Sequence, residues 1–147
     1  VPKRDPSRQA YRLLEIERCG KKLNININKQ PKFFPPADPH KAALFAIATI
    51  KNGLSLDFGK SVLTKLWSEE QDISSDSTLE TISKELGLSF ADLKKDADNE
   101  AIKSVYLSNS KEAISKGVFG APSFIIDNEL FWGQDRLDFL EDKIKSL

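Results

Sequence analysis

A late change of period limits what this chain can fold into. Through residues 1 to 116 the apolar positions recur mainly at helical spacing. Only at "SFII" (123–126) and "ELFW" (129–132) do two short strand-like runs appear, around Asp127-Asn128. That pair suits the positive backbone angles of a tight hairpin turn. A lone two-stranded hairpin is marginal in water, and "SFIID" is apolar on both faces, as strands in a covered sheet are. Helices cannot pair a sheet edge, and before residue 117 only "LNINI" (23–27) reads as a strand. The expectation is that another chain completes the sheet, or that strands precede Val1.

The helical stretch is punctuated by local signals. Ala10, Leu13, Leu14 and Ile16 predict a helix over Ser7–Arg18, with Pro6 in its first turn and Gly20 just past its end. "LNINI" then gives a short extended piece, and the four prolines of residues 31–39 a rigid loop. Asp38 and Pro39 open a helix that is apolar nearly all round from Ala42 to Ile50 and stops at Asn52-Gly53, which predicts a buried centre. Leu56, Phe58, Val62, Leu63, Leu66 and Trp67 mark an amphipathic successor. A capping box at Ser77 and Glu80 opens the next helix, which ends on Gly87. Ser89 caps another at once, with Leu88 and Leu93 as a hydrophobic staple. Asn99–Lys116 predicts a longer helix closed by Gly117, and Leu137, Leu140, Ile144 and Leu147 a narrow-striped last one.

Bulk properties exclude several classes. A chain of 147 residues holds one domain, or a compact body with an insertion. Twenty-two basic residues balance 22 acidic ones, so no general affinity for nucleic acid or anionic membrane is expected. No apolar run approaches the ~20 residues that cross a bilayer, and a soluble, cytoplasmic protein is expected. Cys19 is alone, which rules out an internal disulfide, a Cys-x-x-Cys pair within these residues and a multi-thiolate zinc site; no metal is expected. The chain lacks methionine and opens on Val-Pro-Lys-Arg, so its natural start is expected elsewhere. His40, the single histidine, shows no acid partner and reads as a surface residue near a helix start. Cys19 near a helix C-terminus faces the negative end of the dipole, which argues against a nucleophile.

Gly120-Ala121-Pro122 stands directly before the hairpin. Proline cannot donate to a ladder and glycine allows unusual backbone angles, so the step reads as a tight approach. Only about 5–6% of X-Pro bonds are cis, too few to assign cis from the dipeptide itself.

The segment "GVFGAPSFIIDNELFWGQDRLDFLE" (117–141), with "LWSEEQDIS" (66–74) and "PKFFP" (31–35), closely resembles the 2-hydroxychromene-2-carboxylate isomerases. Those proteins belong to the kappa-class glutathione transferase branch of the thioredoxin-like, DsbA-type proteins. The resemblance implies an α/β, thioredoxin-like fold with a large all-helical insertion. Residues 1–116 would be that insertion, and residues 117–147 the returning hairpin and last helix. The family's opening strand-helix-strand unit, with its Ser-Pro-Tyr serine, has no counterpart in this sequence. The catalytic residue would therefore lie before Val1.

Glutathione is the cofactor implied. By resemblance Pro122 is cis and the backbone of Ala121 binds the cysteinyl part of glutathione as an added strand would. Gln134 and Asp135 would begin the last helix and hold the γ-glutamyl end, Asp135 pairing with the ammonium; the plain alternative makes Asp135 an N-cap. Arg136 follows as a supporting residue, and Lys3, Arg4 and Arg8 lie near the place of a basic residue for the glycine carboxylate. Phe33, Phe34, Trp67 and Trp132 could wall a pocket for a flat aromatic substrate. Aromatics at such spacing usually pack a core, which is the competing reading above all for the two tryptophans. The implied activity is a glutathione-dependent isomerisation of a conjugated aromatic carboxylate. A kappa-like transferase, a thiol-disulfide oxidoreductase of the same fold and a non-catalytic glutathione- or peptide-binding module are the alternatives. A homodimer fits the need to cover apolar surface.

Overall fold

The structure is a computed structural model that describes residues 5–147. Seven α-helices and one hairpin follow in the order α1 (Pro6–Leu23), α2 (Lys41–Ala48), α3 (Ser55–Trp67), α4 (Asp76–Glu85), α5 (Phe90–Ala97), α6 (Glu100–Ser115), β1 (Ser123–Ile126), β2 (Glu129–Trp132) and α7 (Leu137–Lys145). Contacts divide the chain within α6 into a unit ending at Lys103 and a second unit, Ser104–Leu147. The sequence expectation set the division at the end of that helix, between residues 116 and 117.

In the first unit α2 packs against α3 and α5, and α4 packs against both of these. The core lies among them: Phe45, Phe58, Leu66, Leu79, Ile82 and Leu93 are all buried. Phe45 stacks between Phe58 and Phe90 at centroid distances of 6.2 and 5.8 Å. Burying such rings is the main favourable term, about 1.5–3 kcal/mol per large apolar side chain. Polar groups that enter this core are paired. Ser83 Oγ donates to the Leu79 carbonyl at 2.7 Å, and Lys65 reaches Glu85 at 2.8 Å and Glu69 at 3.0 Å. Those partners, Glu85 first, raise the Lys65 pKa.

Helix starts follow short-range chemistry, with two shifts from expectation. Ser75, and not Ser77, caps α4: Ser75 Oγ accepts from the Ser77 N–H at 3.2 Å, so the cap lies two residues before the apparent box and the helix begins at Asp76. Asp38 Oδ1 accepts from the N–H groups of His40 and Lys41 at 2.9 and 3.2 Å, although helical geometry begins only at Lys41. Ser89 caps as its sequence suggests, accepting from Asp92 N–H at 3.3 Å, whereas Asn99, expected as the first residue of its helix, stands just before α6 and accepts from Ala101 N–H at 2.9 Å.

Gly20 corrects the predicted end of α1. The helix continues through it to Leu23, and Asn24 with φ 53° closes it. A Cβ on Gly20 would stand 2.6 Å from Ile27 Cγ2, so the glycine admits the returning chain and is not a cap. The expected extended piece forms no strand. It doubles back instead, the Ile25 N–H donating to the Gly20 carbonyl at 2.9 Å and the Asn28 N–H to the Trp67 carbonyl at 2.7 Å. Ile50, Leu56 and Leu63 were expected on buried faces but are 56, 90 and 58% exposed, because the core has room only for the opposite side of each turn.

The second unit holds the end of α6, the hairpin and α7, which packs against both strands. Ser123 pairs with Trp132, and Ile126 with Glu129, antiparallel. Asp127 and Asn128 take φ values of 50° and 63° at the turn, as the sequence expects. Among the described residues the sheet has these two strands alone.

Candidate functional site

The hairpin mouth fixes the Ala-Pro step. The Gly133 N–H donates to the Pro122 carbonyl at 3.0 Å, which carries the hydrogen bonding one residue past the last strand pair. Ser123 Oγ donates to the Gly120 carbonyl at 2.6 Å and closes the loop from the other side. Ala121 is exposed, and among the described residues neither its N–H nor its C=O is engaged in a hydrogen bond. The Ala121–Pro122 bond is cis. Phe34–Pro35 is cis as well, a feature for which the sequence reading found no signal.

Gln134 and Asp135 sit in a turn one residue before the cap of α7. Arg136 holds the cap position without a side-chain capping bond, and the helix begins at Leu137. Asp135 is therefore neither the first helical residue nor the N-cap, which corrects both expectations. The physical cause is Gly133, whose φ of 111° is not helical; its carbonyl takes the Arg136 N–H at 3.3 Å and spends these residues on a turn. The Asp135 carboxylate folds back over Gly133, where Oδ1 lies 2.5 Å from the position a Cβ would take. Its Oδ2 meets Arg136 Nη1 at 3.0 Å with both side chains more than half exposed. The site thus keeps an accessible carboxylate beside the hairpin mouth.

The aromatic residues fall into separate groups. Phe34 and Trp67 stack with centroids 4.8 Å apart and planes tilted 45°. Phe34 is 42% exposed, whereas Phe33 and Trp67 lean on the buried core. Trp132 belongs to the second unit, where it meets Phe119 at 5.0 Å and is 51% exposed. That exposure excludes the core reading for Trp132.

Of the basic candidates, Lys3 and Arg4 lie outside the described residues and Arg8 lies within them. Arg8 lines an open depression on α1 with Ser7, Tyr11 and Arg12, and the Arg12 guanidinium stands 5.8 Å from the Phe34 centroid. Sequence reasoning had no way to pick out Arg12, because its aromatic neighbour comes from a loop 22 positions on. Cys19 is a half-buried free thiol inside α1. His40 holds the cap position of α2 without a side-chain capping bond. No group of three or more His, Cys, Asp or Glu residues that could hold a metal ion occurs among the described residues. No helix among them is long and apolar enough to cross a membrane.

A family model for the DSBA-like thioredoxin domain matches residues 1–145. The chain belongs to that family. Its fold is accordingly thioredoxin-like of the DSBA type, mostly helical here with a small sheet and a C-terminal helix. Among curated relatives, this DSBA-like chain is 29% identical over 129 residues to the 2-hydroxychromene-2-carboxylate isomerase of Sphingobium xenophagum, covering 88% of this chain and 64% of that one. Among solved structures it matches a 2-hydroxychromene-2-carboxylate isomerase with a TM-score of 0.76 at 21% identity, over 93% of this chain and 66% of that one. The chain thus spans less than two thirds of the length of the relatives it matches.

Proposed function

We propose that this protein works as a glutathione-dependent isomerase of a conjugated aromatic carboxylate; its curated relative is named a 2-hydroxychromene-2-carboxylate isomerase. The observation that carries the reading is the Ala121 backbone, exposed just beyond the end of the ladder, with its N–H and C=O unengaged among the described residues. An extended thiol peptide can add there as a strand adds to a sheet, with main-chain hydrogen bonds supplying affinity.

The residues present fit such a ligand. Ala121 would take the cysteinyl peptide unit, and Pro122, tied to Gly133 N–H at 3.0 Å, would hold that edge in place. Asp135, with Gln134 beside it, offers an exposed carboxylate to an ammonium group. When bound, glutathione would supply the thiolate nucleophile and leave unchanged. Phe34, the exposed ring of the Phe34–Trp67 pair, would offer apolar surface to a flat aromatic substrate. No residue of this chain is assigned as catalytic. A homodimer and a cytoplasmic location belong to the same proposal.

The test has two parts: calorimetric titration with glutathione, and an ultraviolet assay of 2-hydroxychromene-2-carboxylate conversion with and without it. Binding together with glutathione-dependent turnover is expected. Turnover that ignores glutathione would remove the cofactor from the reading. Binding without turnover of any aromatic acid would leave a binding module.

A further inference from the structure

We infer that Trp132 is a positioning residue, whose indole clamps the Gly120–Ala121 backbone in the geometry that receives a thiol peptide. The inference rests on the glutathione reading above and assigns Trp132 a task other than walling a substrate pocket. Three contacts carry it. A Cβ on Gly120 would lie 2.5 Å from Trp132 Nε1 and 3.1 Å from Cε2, so the backbone of Gly120 runs close against the nitrogen corner of the indole. Phe119, the residue before it, packs its ring on the same indole at 5.0 Å with a tilt of 56°. Trp132 is itself fixed, because it pairs with Ser123 across the hairpin while its successor Gly133 holds the Pro122 carbonyl at 3.0 Å.

Ala121 therefore sits between two held points. Gly120 is pressed by the indole and tied to Ser123 Oγ at 2.6 Å, and Pro122 is tied to Gly133. The hydrogen bonds tie both neighbours along the chain, and the indole occupies the side of Gly120 where a side chain would stand. A half-exposed tryptophan over a glycine contributes little to a core. It restricts a backbone whose unpaired groups must be presented in advance to a ligand, and such preorganisation raises affinity.

The test titrates glutathione calorimetrically onto the full chain and its variants W132A, W132F, G120A and G120A/W132A. Backbone order parameters at Gly120 and Ala121 are read alongside by NMR relaxation. W132A should bind about tenfold more weakly at an unchanged folded fraction, and W132F within about threefold of wild type, because a phenyl ring still covers Gly120. G120A should also weaken binding. The double variant should be no weaker than W132A, since removing the indole makes room for the methyl group. Lower backbone order parameters at Gly120 and Ala121 in W132A are expected. Wild-type affinity in W132A, or losses that simply add in the double variant, would overturn the role. If the wild-type chain binds no glutathione, the functional reading fails by itself and the order parameters alone judge the clamp: equal values at Gly120 and Ala121 in wild type and W132A overturn it.

Discussion

The two units solve the burial problem differently. Among the described residues the buried hydrophobic core runs from Ala42 to Ala97, all in the first unit. In Ser104–Leu147 the only buried residue is Gly133, and Phe119, Phe139, Ile144 and Leu147 are 71, 57, 53 and 75% exposed. The first unit draws its order from a closed hydrophobic cluster. In the second, order at the hairpin mouth comes from backbone geometry: a two-residue turn, a glycine with φ 111° and two short ties around Ala121. Side-chain burial makes a stable body, whereas presenting an unpaired backbone requires that the mouth not be filled.

Substitutions can break or sharpen that contrast. The largest effect should come from Phe58→Ala, since the ring is wholly buried: about 3–5 kcal/mol in chemical denaturation. Phe139→Ala in the second unit should stay within about 0.5 kcal/mol. Similar losses for the two would erase the distinction between the units. Next comes Gly20→Ala. Alanine favours a helix by about 1 kcal/mol over glycine, but the new methyl meets Ile27, and overpacking costs about 1–3 kcal/mol. A net loss of stability is expected, and a gain would show that the close approach yields freely.

Asp135→Ala should weaken glutathione binding about fivefold at equal folded fraction, the upper end for an exposed charged pair. An unchanged calorimetric titration would remove Asp135 from the site. The smallest effect concerns Asp76, which joins α4 to α2 through Lys41 at 2.6 Å and to α5 through Lys94. Lys41 first and Lys94 second lower its pKa from 3.8. The folded state therefore binds this proton less readily than the unfolded one. The ion pairs contribute fully above pH 3.8 and fade as the pH falls through the lower folded value. Asp76→Asn should cost about 0.5 kcal/mol at neutral pH and flatten that acid-side slope, since the partners are partly exposed. Identical slopes in wild type and variant would assign the acid loss elsewhere. Glu17 offers a parallel check: Lys21 first and then Lys29 hold its pKa to about 2, readable as a late carboxyl titration by NMR.

Much of the site could be read before the structure. "GVFGAPSF" marked the Ala-Pro step, because glycine and proline restrict the backbone through their own covalent chemistry. Asp135 was visible as a residue but not in its place: Gly133 spends the following residues on a turn, and that depends on a backbone angle no residue type dictates. The indole over Gly120 was not legible at all, since the two residues stand on opposite arms of the loop and meet only once the hairpin has its register.

What this sequence determines by itself is local. Asp127-Asn128 set the turn and hence the strand register, Gly87 and Gly117 ended their helices, and Ser89 and Asn99 began theirs. In each case the decisive interaction spans a few residues. Only the tertiary structure decided which faces were covered. It buried Phe58 while leaving Leu56 exposed, ran α1 through Gly20 and stacked Phe34 on Trp67. Burial depends on what arrives from elsewhere in the chain, and helical periodicity names a face without naming its partner.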